Sequence, residues 1–272
     1  MPPELLIWLA AGLAILGIVI RPYDLAEAVW PAAAVVVLLL CGAITPQTAL
    51  IGIGKGVDVY LFLTGMMLLA EIARTEGLFD WLAALATRHA QGSAQRLFLL
   101  TYVVGTVVTI FLSNDATAVV LTPAVAAAVR TAKAPTPLPF LLVCAFIANA
   151  ASFVLPISNP ANLVIYASRM PPLLQWLPQY LLPSALAIVA TYIVLRWTQR
   201  GALTQRIATD IAMPILTLGG KTAAAGIAAT AIGLIGASAL DFQLGLPTFI
   251  AGAATALIVA IADPKKTWTI LK

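Results

Sequence analysis

Apolar positions in this chain gather into long runs, at residues 5–20, 28–44, 57–73, 173–195, 222–240 and 245–262. Crossing about 30 Å of hydrocarbon takes about 20 helical residues, or a few fewer where the bilayer thins. Each run therefore predicts a membrane-spanning helix. A seventh, 138–167, has apolar ends but a broken middle. Residues 78–90 differ: Leu78, Trp81, Leu82 and Leu85 recur at helical spacing with Asp80, Arg88 and His89 among them. That pattern predicts a helix lying in the membrane interface.

Residues 97–130 are apolar on both sides of Ser113-Asn114-Asp115. The two arms, of about 16 residues each, reach about 24 Å at 1.5 Å per residue. Such arms suit a re-entrant hairpin better than two crossings. Charge placement favours the same choice. With the N-terminus outside and the hairpin not crossing, Arg21, Arg74, Arg88, Arg96, Arg130, Lys133, Arg196, Arg200, Arg206, Lys221, Lys265, Lys266 and Lys272 all fall on the cytoplasmic side. Only Lys55 and Arg169 fall outside. The opposite orientation inverts this bias, against the positive-inside rule. A single crossing in place of the hairpin would carry the basic loop 196–221 outside.

Composition agrees with this picture. The 272 residues are 61% hydrophobic and 10% charged, with mean hydropathy +1.00, whereas a soluble domain is about half apolar and about a quarter charged. The chain is expected to be an all-α polytopic protein of the inner (plasma) membrane. Its net charge of +4 is what cytoplasmic loops supply and does not call for nucleic acid. Cys41 and Cys144 both lie in apolar runs and read as small buried residues. His89 is the only histidine and no zinc spacing occurs, so no metal centre or cofactor is expected. Glu4 stands where a signal peptide carries positive charge, so the first apolar run reads as a retained helix.

Polar residues interrupt the apolar pattern at Ser113-Asn114-Asp115-Ala116-Thr117, and again at NAASFVLPISNPANLV, residues 149–164. The second carries Asn149, Ser152, Ser158, Asn159 and Asn162, with Pro156 and Pro160 to break the helix. Asn159 before Pro160 reads as a helix cap with proline at the first helical position. Non-helical backbone at membrane depth survives only where protein buries it or it lines a wet cavity. Each break should present a half-helix N-terminus, near Ala116 and near Pro160, with its free N–H groups and partial positive charge. The carbonyls of the preceding half-helices should face the same space. Asp115 is the ionisable group placed deepest, and no Lys or Arg occurs between Arg96 and Arg130 to pair with it. An intramembrane carboxylate is by default a functional candidate. Asp58 and Glu71 sit at the ends of their span and read as structural, and Asp24, Glu27 and Asp241 as loop residues.

A faint repeat links ILGIVIRPYDLAEAVWP, residues 15–31, with LIGASALDFQLGLP, residues 234–247. With five crossings in residues 1–195 and a linker at 196–221, the second unit, 222–272, starts from the opposite face. That is the inverted repeat of secondary transporters.

The stretches LFLTGMMLLAEIARTEGLFDWLA, FLSNDATAVVLTPAV and FIANAASFVLPISNPANLVIY resemble the arsenical pump membrane protein family, the ArsB-type arsenite permeases of the larger ion transporter superfamily. Sodium-coupled dicarboxylate carriers of that superfamily have Ser-Asn-Thr at the hairpin tip, where Asp115 here replaces the threonine. A carboxylate there repels a dicarboxylate but can carry a proton, once burial brings its pKa toward neutrality. The resemblance implies export of arsenite or antimonite driven by proton entry. Asp115 would couple the proton, and Ser113, Asn114, Asp115, Thr117, Asn149, Ser158, Asn159 and Asn162 would bind solute or ion. Arsenious acid is largely un-ionised near neutrality, so hydroxyl and amide partners suffice. Some family members dock a cytoplasmic ATPase, and a homodimer also fits. The family continues through a full second repeat, so this chain, ending two spans into it, is expected to hold one half of a transport site. Two other readings remain. One is a sodium/proton antiporter of the same superfamily, with Asp115 binding the exchanged cations. The other is a non-transporting membrane subunit that holds a partner through 196–221. An enzyme is not expected: Ser113 and Ser158 have no base but the distant His89.

The topology has a direct check. A cysteine placed at Gln205 should react with an impermeant reagent only from the cytoplasm, and one at Gln47 only from outside. Labelling of the Gln205 position on intact cells would sink the re-entrant arrangement.

Overall fold

The computed structural model describes residues 2–166, 169–209 and 212–262. The expected positions Lys265, Lys266 and Lys272, the chain's C-terminus and the last residue of the 138–167 segment lie outside these. The chain divides into two compact units, Met1–Val57 and Asp58–Lys272. Among the described residues every regular element is a helix, apart from one isolated bridge between Ser93 and Arg206.

The first unit contains α1 (Pro3–Ile20), α2 (Val29–Leu40) and α3 (Pro46–Lys55). α1 and α2 pack as an antiparallel pair, with the Trp30 ring lying where a side chain at Gly17 would stand. α2 is shorter than the expected 28–44 run, because the chain turns at Gly42, whose φ of +66° is left-handed. Thr45 caps α3, its Oγ1 accepting from Thr48 N at 3.1 Å, with Pro46 at the first helical position.

The second unit runs through α4 (Val57–Thr75), α5 (Leu78–His89), α6 (Ala94–Phe111), α7 (Thr122–Thr131), α8 (Leu138–Ala150), α9 (Pro160–Tyr166), α10 (Leu173–Thr198), the single turn α11 (Arg200–Leu203), α12 (Leu218–Ala239) and α13 (Gly245–Ala262). The core centres on α6 against α8, where Gly105 gives way to the Ile147 side chain. α5, expected as a helix in the membrane interface, is packed into the unit along one face. Leu78, Phe79, Ala83 and Ala86 are buried, and α6 and α7 cover it, while Leu85 stays only half-buried. Small alanines let neighbouring helices approach closely, and that outweighs the leucine stripe.

Two sets of long-range bonds orient these helices. Ile207 N donates to Gly92 O at 3.0 Å and Ala208 N to Ala132 O at 2.8 Å. Two successive linker residues thus hold the start of α6 and the end of α7, so the hairpin they form begins and finishes at one end of the unit. Glu76 is at that end as well. It is 5% exposed, and Thr217 Oγ1 donates to its Oε2 at 2.9 Å while accepting from Gly220 N at 2.9 Å. A carboxylate beside the first turn of α12 meets the positive end of the helix dipole. At the far end of α4, Gly245 N donates to Asp58 Oδ1 at 2.8 Å. Between the two ends α4 and α13 cross backbone to backbone at Gly65 and Gly252, where neither can carry a side chain.

Five described helices are by themselves long and apolar enough to cross a membrane: α1, α6, α10, α12 and α13; α3 and α4 reach that standard together. Side chains on their outer faces, among them Trp8, Val19, Leu182, Ile193 and Ile232, are apolar and exposed, as a lipid solvent requires. The chain is an all-α, multi-pass membrane protein.

The Glu76 contact is testable on α12 itself. A methyl group at Gly219 would meet the Glu76 carboxylate, whereas Gly233 has open space around it. Gly219→Ala should displace a buried, hydrogen-bonded acid and cost about 1–3 kcal/mol. Gly233→Ala should be neutral or stabilise by up to about 1 kcal/mol. Thermal midpoints in detergent check this; equal midpoints for the two variants would remove Glu76 as an anchor.

Candidate functional site

α6 ends at Phe111, and its final carbonyls have no helical partners. The chain restarts as helix at Asn114, two residues earlier than expected, because Ser113 caps it: Ser113 Oγ accepts from Ala116 N at 3.2 Å. Asp115 therefore sits inside the first turn, where the helix dipole favours negative charge. Ala116–Leu121 then winds as a π-helix, a form that recurs at functional sites. The wide turn is stitched by Thr122 Oγ1, which donates to Thr117 O at 3.1 Å.

The second break runs from Ala151 to Asn159 between α8 and α9. Pro156 opens a single turn of 3-10 helix, and α9 starts at Pro160 as expected, with Asn159 Oδ1 accepting from Ala161 N at 2.9 Å. Asn162 reaches back from α9, its Nδ2 donating to Pro156 O at 3.2 Å and Ser152 O at 3.4 Å. Trp176 of α10 supports the loop from behind, donating from Nε1 to Phe153 O at 3.1 Å and stacking on Tyr180.

The two breaks meet. Ser158 Oγ donates to Ile110 O at 2.9 Å, filling one of the empty carbonyls of α6, and accepts from Leu155 N at 3.2 Å. The eight candidate residues therefore fall into different positions. Ser113, Thr117, Ser158 and Asn162 are buried, and the first three are engaged inside the protein, Thr117 with Thr109 at 2.8 Å. Asn114 and Asn159 are half-buried. Asp115 and Asn149 are exposed, Asn149 bonding only to Ala145 O one turn back, at 3.2 Å, through its side chain. No bond joins Asn149 to the hairpin tip among the described residues.

Asp115 has no ion pair; the pairs among the described residues are Arg21–Glu27 at 3.4 Å and Arg74–Glu71 at 2.5 Å. Asn162 Oδ1 is buried without a hydrogen-bond partner, an acceptor awaiting a donor. The assembly thus offers one free carboxylate, one orphan acceptor and two half-helix N-termini, with no positive side chain. Thr109, Trp176 and the Ile110 carbonyl were not foreseen from the sequence.

Comparison with known proteins gives a consistent class. A family model described as citrate transporter matches residues 7–272. A protein of Bacillus subtilis (strain 168), provisionally named an arsenical pump membrane protein, is 31% identical over 152 residues, covering 53% of this chain and 33% of that protein. The arsenical pump membrane protein of Escherichia coli is 32% identical over 102 residues, 36% of this chain and 24% of its own length. An uncharacterised transporter of Mycobacterium tuberculosis is 28% identical over 142 residues, covering 49% and 33%. The matched stretch thus spans a third or less of each of these relatives.

Ser158 separates a buckle between the breaks from a surface role. Ser158→Ala should leave Ile110 O and Leu155 N buried and unpaired, a loss of about 1–3 kcal/mol. Asn149→Ala, at an exposed position, should stay within about 0.5 kcal/mol of the parent. Denaturant titration of the detergent-solubilised protein reads both; an unchanged Ser158 variant would mean the breaks are not joined through it.

Proposed function

The chain belongs to the citrate transporter family, and we propose that within it the two joined breaks form part of a site that exports arsenite or antimonite in exchange for protons. The observation that carries this reading is Asp115: an exposed carboxylate, unpaired, in the first turn of a half-helix set into an apolar hairpin. An exposed acid at that depth must face water or further protein, not lipid. A citrate anion is disfavoured at this place. No Lys or Arg occurs between Arg96 and Arg130 or between Lys133 and Arg169, so a polyanion would meet the Asp115 carboxylate with only the partial charge of the half-helix N-termini to offset it. An un-ionised metalloid hydroxide instead brings O–H donors, which Asn162 Oδ1 and the Asp115 carboxylate can accept. The names of the arsenical pump relatives point the same way.

In this reading the hairpin is re-entrant and opens to the cytoplasm, with the N-terminus outside. The grouping of Gly92, Ala132 and the basic linker at one end supports it. The chain's two helix pairs, α1–α2 and α12–α13, each carry an acid with left-handed φ in the turn, Asp24 at +51° and Asp241 at +60°, which favours the inverted repeat. A cytoplasmic ATPase, where one is used, would meet the polar groove lined by Gln91, Arg96, Gln205 and Arg206. Exchange of sodium for protons at the same carboxylate is the second reading, since an exposed acid among carbonyl and amide oxygens also fits a small cation.

Everted vesicles carrying a complete protein, with both halves of the site, test both. Asp115→Asn keeps the shape and removes the proton site, so arsenite uptake driven by a pH gradient should fall to the level of vesicles without the protein. Asp115→Glu should retain part of it. An Asn variant with unchanged flux and pH dependence would make Asp115 structural; sodium-dependent proton movement without arsenite flux would select the second reading.

A further inference from the structure

The π-helical turn Ala116–Leu121 stands directly after Asp115 and directly before α7. Its bonding is unusual at Thr117, whose carbonyl receives both the backbone N–H and the hydroxyl of Thr122, five residues on, the hydroxyl at 3.1 Å. An α-helix would send that N–H to Ala118 O instead. We propose that this wide turn aims Asp115 at the open side of the hairpin, and that Thr122 is the positioning residue that holds the turn.

Three observations carry the proposal. The first is local. Pro123 follows Thr122, and a proline ring in an α-helix collides with the carbonyl four residues back, here that of Val119. The turn before Pro123 is therefore pushed wide. Pro123 also brings no N–H, and the Thr122 hydroxyl adds a second donor beside the gap this leaves. The second observation is that Thr117 is held from its other side. Its hydroxyl pairs with Thr109 Oγ1 of α6 at 2.8 Å, and Thr109 in turn donates to Gly105 O at 2.8 Å. Both threonines are fully buried, and the Thr122 hydroxyl itself meets the Cys144 thiol of α8. The turn is thus gripped between α6 and α8.

The third observation is the pattern of exposure. Asp115 is exposed, whereas Ala116, the next residue, is 3% exposed. Closing the turn to α-helix would move Thr122 N–H from Thr117 O to Ala118 O and so shift everything before it by one residue. Ala116 would then stand where Asp115 is, and Asp115 where the half-buried Asn114 is. The first turn would rotate by about 100° and advance by about 1.5 Å. A methyl group would replace the carboxylate on the open side, so only the wide register presents an acid there. The consequence for proton exchange rests on the reading of Asp115 given above; the register itself does not.

Cysteine labelling of the purified chain in detergent separates the two registers. Asp115→Cys and Ala116→Cys are each treated with a charged, water-soluble methanethiosulfonate, and the modified peptide is followed by mass spectrometry, apart from those of Cys41 and Cys144. With Thr122 in place, position 115 should react fast and position 116 slowly. Thr122→Val keeps the shape and removes the hydroxyl, so the rates should cross: 115 slows several-fold and 116 quickens several-fold. Thr122→Ser should restore the parent's rates. If Thr122→Val unfolds, which quickens both positions together, Pro123→Ala decides. That substitution, at an exposed position, relieves the collision without touching the buried threonines, and it should produce the same crossing of rates. Unchanged rates in the folded variant overturn the proposal, as does a Ser variant that behaves like the Val one. Arsenite flux is not read here, so the role of Asp115 in proton exchange stands or falls separately, on the Asp115→Asn measurement.

Discussion

Lipid offers no hydrogen bonds, so every backbone N–H and C=O at membrane depth must find its partner inside the chain. Helices meet that demand automatically; the two breaks do not, and the protein satisfies them one group at a time. Ser113 takes the Ala116 N–H, Ser158 takes Leu155 N–H and fills Ile110 C=O, Asn162 spans Ser152 and Pro156, and Trp176 holds Phe153. Each of these side chains is buried. Other buried polar residues, such as Thr87, Thr230 and Thr248, bond back to the carbonyl one turn earlier in their own helices. Asp115 stands apart from both groups as an exposed carboxylate.

This division changes how the polar clusters are read. A serine in a broken membrane helix looks like a ligand from sequence, since its hydroxyl is the nearest polar group to any solute. The structure gives Ser158 an internal task instead, and Thr117 likewise, through Thr109. The exposed carboxylate and the orphan oxygen of Asn162 keep their valence. Packing reinforces the arrangement: Gly105 admits Ile147 and so presses α8, which leads into one break, against α6, which leads into the other.

Much of the helical framework was legible in the sequence, because apolar runs and prolines are local signals. α1, α10, α12 and α13 appear where the hydropathy pattern puts them, and the cap at Asn159 and Pro160 follows from two adjacent residues. Contacts between distant residues leave no such pattern. Nothing in the sequence around Glu76 marks it, yet α12, beginning more than a hundred residues later, buries it. Asp58, at the start of its span, takes the Gly245 N–H, a partner 187 residues away that no local pattern names. Which side chains of α5 are buried, Leu78 and Phe79 with Ala83 and Ala86, follows from the faces α6 and α7 cover and is likewise not written in the local pattern. The linker that ties Gly92 to Ala132 left no signal in the sequence either.

That linker has a consequence for synthesis. Residues 207 and 208 bind both feet of the α6–α7 hairpin, at Gly92 and Ala132. The ribosome makes them only after α8, the second break, α9 and α10 have emerged. Until then the hairpin's feet lack the strand that joins them. The two bonds at the hairpin's feet can therefore form only after α10 has been made. A ribosome stalled before residue 207 would display the same helices with an unlatched hairpin, a nascent form distinct from the finished one.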